Sequence, residues 1–194
     1  FPYTTLFRSF DAQKLIAETA NEIATLTRKE QVKLSCEVEC SHLLVHSDPL
    51  RIRQIIVNLL TNAYKYTESG SITLHSCLRR QPGGSSLIIE VTDTGIGIEK
   101  DQLDQIFKPF TQLDQSHTKQ YAGVGMGLAI VHGLVTLLDG TITVYSEIKK
   151  GSTFIVSIPV QISEDERADA PAAANASLQQ KPQQVLVVDD NKSV

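Results

Sequence analysis

The stretch "SDPLRIRQIIVNLLTNAYKYTESG", residues 47–70, constrains the fold more than any other part of the chain. Ile52, Ile55, Ile56, Leu59, Leu60 and Ala63 recur at three- and four-residue spacing, which lines one side of an α-helix. Ser47 or Asp48 supplies the N-cap, Pro49 suits the first turn and Gly70 supplies the stop. Such a helix has to bury its stripe, and strand-like segments surround it. "QVKLSCEVEC" (31–40) alternates apolar and polar residues; "SITLHSCLRR" (71–80) and "SSLIIEVTD" (85–93) do likewise and are joined by the turn "QPGG". The segment "GTITVYSEIKKGSTFIVSIPV" (140–160) reads as a hairpin. A helix is expected over 11–30, with Leu15, Ile16, Thr19, Ile23 and Leu26 on its apolar side, and another over "GMGLAIVHGLVTLLDG" (125–140). Thr94 to Val124 reads as a long polar connection with one short helix around "EKDQLDQIF"; compact domains keep connections of that length when they are functional or disordered. The class is α/β.

The 194 residues, 41% hydrophobic, suffice for one ordinary domain plus tails. A net charge of -4 argues against a broad basic surface, so nucleic acid is not an expected partner. Cys36, Cys40 and Cys77 contain no CxxC pair. Cys36 and Cys40 with His42 make a metal-site candidate, but buried or half-buried thiols are the preferred reading. The odd cysteine count suits a reducing cytoplasm. No apolar stretch reaches the roughly 20 residues of a membrane span, and no signal-peptide pattern occurs. Residues 1–9, "FPYTTLFRS", match neither a helical nor a strand template and resemble translated cloning or adapter sequence, a non-native or disordered leader. Residues 163–184, rich in Ala, Gln and charge, read as a flexible linker, and 185–194 as one buried-type strand that begins a second domain.

Three constellations carry chemistry. Asn58 and Asn62 are one helical turn apart; Asn62 and Tyr66 fall at the margin of the apolar stripe, with Asn58 and Lys65 a little further round. They are either ordinary surface amides or ligands: a carboxamide oxygen can hold Mg²⁺, Lys65 can meet a phosphate, and Tyr66 offers a face to a base. Next, "IIEVTDTGIGI" delivers Asp93 to the end of a strand, followed by Gly95 and Gly97. This is either a plain strand-to-loop turn or the floor of a pocket, where a carboxylate accepts from an exocyclic amine such as that of adenine. Finally, "YAGVGMGLAIVHGLV" (121–135) places Gly123, Gly125 and Gly127 ahead of an apolar helix, an arrangement that can offer free N–H groups and a helix dipole to phosphate. It is not G-x-G-x-x-G after a strand, so a dinucleotide fold fits poorly, and no Walker A loop occurs.

The order of these parts resembles the ATP-binding domain of sensor histidine kinases, in the superfamily shared with gyrase, heat-shock-90 chaperones and mismatch-repair ATPases. "NLLTNAYKYT" resembles its N box, "DTGIGI" its G1 box, "IFKPF" its F box, "GVGMGLAI" its G2 box and "GSTFIVSIP" its closing hairpin. The resemblance covers residues 10–162. It implies a two-layer α/β sandwich of Bergerat type, a mixed sheet covered by helices on one face, with a mobile ATP lid. It implies ATP and Mg²⁺ as cofactors, with Asn62 the main metal ligand and Asn58 supporting the metal or phosphates. Asn58, Asn62 and Lys65 are then the catalytic set. Lys65 contacts a phosphate, Tyr66 stacks near adenine, and Asp93 binds the adenine amine in a pocket shaped by Gly95, Gly97 and Ile98. Phe107 and Phe110 move with the lid; Gly123, Val124, Gly125, Met126, Gly127 and Leu128 form its hinge and the phosphate-binding helix entry. Ala122 and Val124 depart from the family, where glycine and Thr or Ser are common.

Hydrolases of the superfamily resemble one another in carrying a water-activating Glu at the place of Asn58; a carboxamide cannot take a proton at neutral pH, which favours a kinase. None of the five histidines, His42, His46, His75, His117 and His132, sits in a phosphoacceptor motif, so the acceptor belongs to a dimerisation domain absent from this chain. "VLVVDDN" resembles the first strand of a receiver, in which Asp189 and Asp190 help hold Mg²⁺. The implied parent is a hybrid histidine kinase anchored in the inner membrane, its catalytic fragment cytoplasmic and monomeric, with a receiver or response regulator as partner. The rival readings are an ATPase of the same superfamily and a non-catalytic ATP-sensing module.

Overall fold

The computed structural model describes residues 6–27, 29–39, 44–111, 125–162 and, for the backbone, 185–187. Among the described residues, eight strands and three helices follow in the order β1 (Arg8–Asp11), α1 (Ala12–Leu26), β2 (Val32–Val38), β3 (Leu44–Ser47), α2 (Pro49–Tyr66), β4 (Gly70–Gln81), β5 (Gly84–Asp93), α3 (Gly127–Leu137), β6 (Thr141–Glu147), β7 (Gly151–Ile162) and β8 (Val185–Val187).

The helix that dominates the sequence forms as its pattern requires. Asp48 is the cap: its buried carboxylate accepts from the N–H groups of Leu50 at 3.0 Å and Arg51 at 3.2 Å, and Pro49 occupies the first turn. The helix ends at Tyr66, before Gly70, which instead opens β4. Its whole apolar stripe is buried. α1 is shorter than the expected 11–30, because Thr27 closes the helix by donating its N–H to Ile23. Ile16, Thr19 and Ile23 are buried, whereas Leu26, in the last turn, is exposed.

The sheet runs β1-β3-β7-β5-β4-β2-β8, with β6 also paired to β7. β2 and β4 are parallel, joined through β3 and α2; the other pairs are antiparallel. β4 and β5 form a long hairpin that closes at Gln81↔Gly84, as the "QPGG" turn predicts. Alternation sends Ile72, Leu74, Leu87, Ile89, Val91, Phe154, Val156 and Ile158 to one face. α1, α2 and α3 cover that face, with α2 in the middle touching both other helices. The mixed sheet with helices on one face is the architecture expected.

Three local expectations are corrected. The segment around "EKDQLDQIF" is a chain of turns rather than a short helix, since Gln102, Gln105 and Lys108 each donate to the carbonyl three residues back. Leu44–Ser47 had no strand expectation and is β3. Arg8, Ser9, Phe10 and Asp11 pair with it as β1, although 1–9 was set apart as a leader and helix was expected from 11. Val185–Val187 is a strand, and here it pairs antiparallel with the outer edge of β2. Cys40, His42, His117, the linker 163–184, and Asp189 and Asp190 lie outside the described residues. Among the described residues no helix is long and apolar enough to cross a membrane.

Candidate functional site

α2 carries Asn58 and Asn62 toward the start of α3. The Asn58 amide nitrogen donates to the Gln54 carbonyl at 2.8 Å, and this bond sets which end of the carboxamide is the oxygen. A Cβ placed on Gly127 would lie 3.4 Å from Asn58 Oδ1, 3.4 Å from Asn62 Nδ2 and 3.6 Å from Asn62 Oδ1. Gly127 is the first residue of α3, and Met126 before it provides no side-chain cap. Two carboxamides therefore face a helix N-terminus that has no side-chain cap among the described residues, a setting suited to an anion. Oxygen donors beside an anion site also fit a hard cation that takes its remaining ligands from phosphate and water. Among the described residues no group of three or more His, Cys, Asp or Glu is placed to hold a metal. Leu128 is half-buried against the core, and Met126 is partly exposed.

The other end of the site is built around Asp93, the last residue of the interior strand β5, which is buried at 6% exposure. Its carboxylate accepts the Gly95 N–H at 2.8 Å and a backbone N–H from Ser152. Burial pushes its pKa up; the two hydrogen bonds oppose that shift. A carboxylate offers about four lone-pair sites, so two backbone donors leave capacity for a ligand donor.

The loop after Asp93 is stitched to two neighbours. The Ile96 N–H donates to the Tyr66 carbonyl at 3.2 Å, and a Cβ on Gly95 would collide with that same carbonyl. Gly97 stands at φ +73, with the Glu147 carbonyl where a side chain would begin. That position tolerates only glycine, on both counts. Lys149 N–H reaches the Ile96 carbonyl at 2.8 Å, and Ile98 N–H reaches Ser146 Oγ at 2.8 Å. Between the two ends, the Lys65 ammonium lies 5.0 Å from the centre of the partly exposed Tyr66 ring.

The described residues on either side of the expected lid, Phe110 and Gly125, meet each other. Phe110 N–H donates to the Gly125 carbonyl at 3.1 Å, and Gly125, at φ +70, packs where a Cβ would be 2.8 Å from the Thr111 carbonyl. Gly123 and Val124, like Ala122, lie outside the described residues. Phe107 is half-buried, its ring 5.6 Å from that of His132 on the exposed side of α3, whereas Phe110 is exposed. The structure thus brings together Asn58, Asn62 and Gly127, and separately Tyr66, Asp93, Gly95, Gly97 and Ile98. Ser152, Ser146 and Glu147 support the second group and were not singled out in the sequence. Their signal was the "GTITVYSEIKKGSTFIVSIPV" stretch, visible as a hairpin but without a site role.

Residues 47–162, more than half of the chain, match the family described as histidine kinase-, DNA gyrase B-, and HSP90-like ATPase. The chain belongs to that family. Within it, the similar proteins are sensor kinases. The autoinducer 2 sensor kinase/phosphatase LuxQ of Vibrio parahaemolyticus is 42% identical over 154 residues, covering 76% of this chain and 18% of LuxQ. The sensor histidine kinase AtsR of Burkholderia thailandensis is 37% identical over 182 residues, covering 92% of this chain and 30% of AtsR. The chain therefore spans less than a third of the length of either relative. Among solved structures, full-length ShkA in complex with AMPPNP superposes with a TM-score of 0.72 at 27% identity, over 84% of this chain and 33% of that one. The catalytic domain of histidine kinase ThkA superposes with a TM-score of 0.64 at 28% identity, over 79% of this chain and 95% of that domain. An ATP-binding catalytic domain of the histidine kinase type is what the family and the fold together support.

Proposed function

We propose that this chain is the Mg-ATP-binding catalytic domain of a hybrid sensor histidine kinase, donating the γ-phosphate to a histidine on a separate dimerisation domain for relay to a receiver aspartate. The observation that carries the reading is the meeting of Asn58 and Asn62 with Gly127 at the uncapped start of α3. In this reading Asp93 accepts the adenine amine, with Gly95, Gly97 and Ile98 shaping the pocket and Tyr66 stacking beside the base. Lys65 and the first N–H groups of α3 hold phosphate oxygens. Asn62, supported by Asn58, holds Mg²⁺, which when bound neutralises charge on the phosphates. Gly123, Val124 and Gly125 hinge the lid, and Phe107 and Phe110 follow it.

The nucleophile comes from the partner domain. Its imidazole nitrogen bonds to the γ-phosphorus as the bond to the bridging oxygen breaks, and ADP leaves with that electron pair. Asn58 favours transfer over hydrolysis, because a carboxamide with its nitrogen tied to Gln54 cannot take a proton from water. The catalytic domain acts as a monomer in solution, and the longer protein is membrane-anchored with a receiver that begins near Val185.

The test mixes this chain with a separately produced phosphoacceptor domain and γ-labelled ATP. Label on the acceptor histidine, with little phosphate release in its absence, is the expected result. Binding of ATP without transfer identifies a sensing module instead. Steady phosphate release by the chain alone, abolished by Asn62→Ala, identifies an ATPase.

A further inference from the structure

The last carbonyls of a helix lack intrahelical partners, and at the end of α2 those of Tyr64, Tyr66 and Thr67 find donors elsewhere in the chain. Thr67 N–H meets the Ala63 carbonyl at 3.0 Å, and Ile96 N–H meets that of Tyr66. The carbonyls of Tyr64 and Thr67 both accept from one group, the Lys29 ammonium, at 2.5 and 3.0 Å. Lys29 lies in the short connection from α1 to β2, more than thirty residues away in sequence. That connection is itself fastened: Val32 N–H donates to the Lys29 carbonyl at 3.1 Å, and Gly70 N–H donates to Gln31 at 2.9 Å. The parallel register Val32↔Gly70 then carries both connections into the sheet. A cation at this place also faces the negative end of the α2 dipole.

Lys65 and Tyr66 are the two residues between Tyr64 and the start of the cap at Thr67. Their backbone is held on both sides by Lys29 and on the third by Ile96. We infer that Lys29 is a positioning residue for nucleotide binding: by clamping the carbonyls of Tyr64 and Thr67, it sets where the Lys65 ammonium and Tyr66 ring stand in the cleft. A compact ammonium suits this task better than a planar guanidinium, because its donors point in three directions at once. The inference rests on the ATP reading of the site.

The experiment measures affinity for a non-hydrolysable ATP analogue with Mg²⁺ by calorimetry, and amide hydrogen exchange at residues 65–67 without nucleotide. The variants are Lys29→Met, Lys29→Arg and a control, Arg53→Met, which removes the ion pair between Arg53 of α2 and Glu22 of α1 away from the cleft. Lys29→Met is expected to bind about three- to tenfold more weakly, as loss of a partly buried helix-terminal cation implies, and to exchange faster at 65–67. Lys29→Arg recovers part of both, and Arg53→Met changes neither even where it lowers the melting temperature. Should Lys29→Met not fold, Lys29→Gln, which keeps a donor but no charge, takes its place with the same expectations. Unchanged affinity in the Lys29 variant overturns the inference, as does a loss matched by Arg53→Met at equal stability. If the unaltered chain binds no nucleotide, the ATP reading itself fails, and this inference with it.

Discussion

Replacing Asp93 by Asn separates what the carboxylate does for the fold from what it does for a ligand. Asp93 is buried, and its only described partners are the N–H groups of Gly95 and Ser152. Its pKa is raised because desolvation outweighs those two bonds. The sign of the linkage follows. With the folded pKa above the unfolded value, the native state binds more protons in the interval between them, so stability falls as pH rises through it. Above that interval the charged group is a net cost, and Asp93→Asn removes the cost while keeping a carbonyl oxygen for Gly95. The variant without nucleotide should therefore be at least as stable as the parent at pH 7, and its advantage should shrink as pH is lowered into the ordinary carboxylate range. Binding should move the other way. An adenine amine that loses a charged acceptor forfeits about 1–3 kcal/mol, or roughly 5- to 150-fold in affinity. Calorimetric titration with an ATP analogue and thermal unfolding at several pH values read the two effects. Unchanged affinity would remove Asp93 from the site. A loss of stability at pH 7 that does not vary with pH would refute the argument from burial.

Three further outcomes are expected. Gly97→Ala places a Cβ on the Glu147 carbonyl at a left-handed φ, a conformation that costs about 1–2 kcal/mol before the overlap is counted; its denaturation midpoint should fall and its nucleotide affinity with it, and wild-type values for both would show that the loop gives way freely. Asp48→Ala removes the cap of α2 and the acceptor of the Leu6 N–H at 3.1 Å, so urea denaturation should report about 1–2 kcal/mol lost, with nucleotide affinity intact because Asn62, Lys65 and Tyr66 lie at the other end of the helix. Cys36 is buried, and burial with the adjacent Glu37 charge lifts its thiol to about 11. Alkylating reagent at pH 8 should leave it unmodified in the folded chain and label it only in denaturant; native labelling would contradict the packing around β2.

Much of the architecture could be read from local pattern because the physics behind it is local. The apolar spacing of α2, its cap and Pro49, and the two-residue turn between β4 and β5 each depend on a few neighbouring residues. The order of Asn58 and Asn62, Asp93, Gly95 and Gly97, and the glycines before α3 was likewise visible, since each chemical role demands a residue type at a set spacing. β3 escaped notice because four residues are too short to show a period, and Arg8–Phe10 became strand only by pairing with it. The turns over 99–108 carried a helix-like pattern, yet their N–H groups reach three residues back instead of four.

The amino-acid sequence by itself determined the three helices and the longer strands, where α2 begins, and which side chains have the chemistry to meet a phosphate, a cation or a base. Only the tertiary structure decided what holds those side chains in place. Ser152 reaches Asp93 from β7, the Glu147 carbonyl closes the space at Gly97, and Lys29 caps α2 from another connection. These partners are backbone groups or a distant lysine, and a backbone N–H or carbonyl is the same at every residue. Nothing in a residue's identity announces which one it will meet; that is set when strands pair in register and buried polar groups must find whatever partner the fold brings within reach.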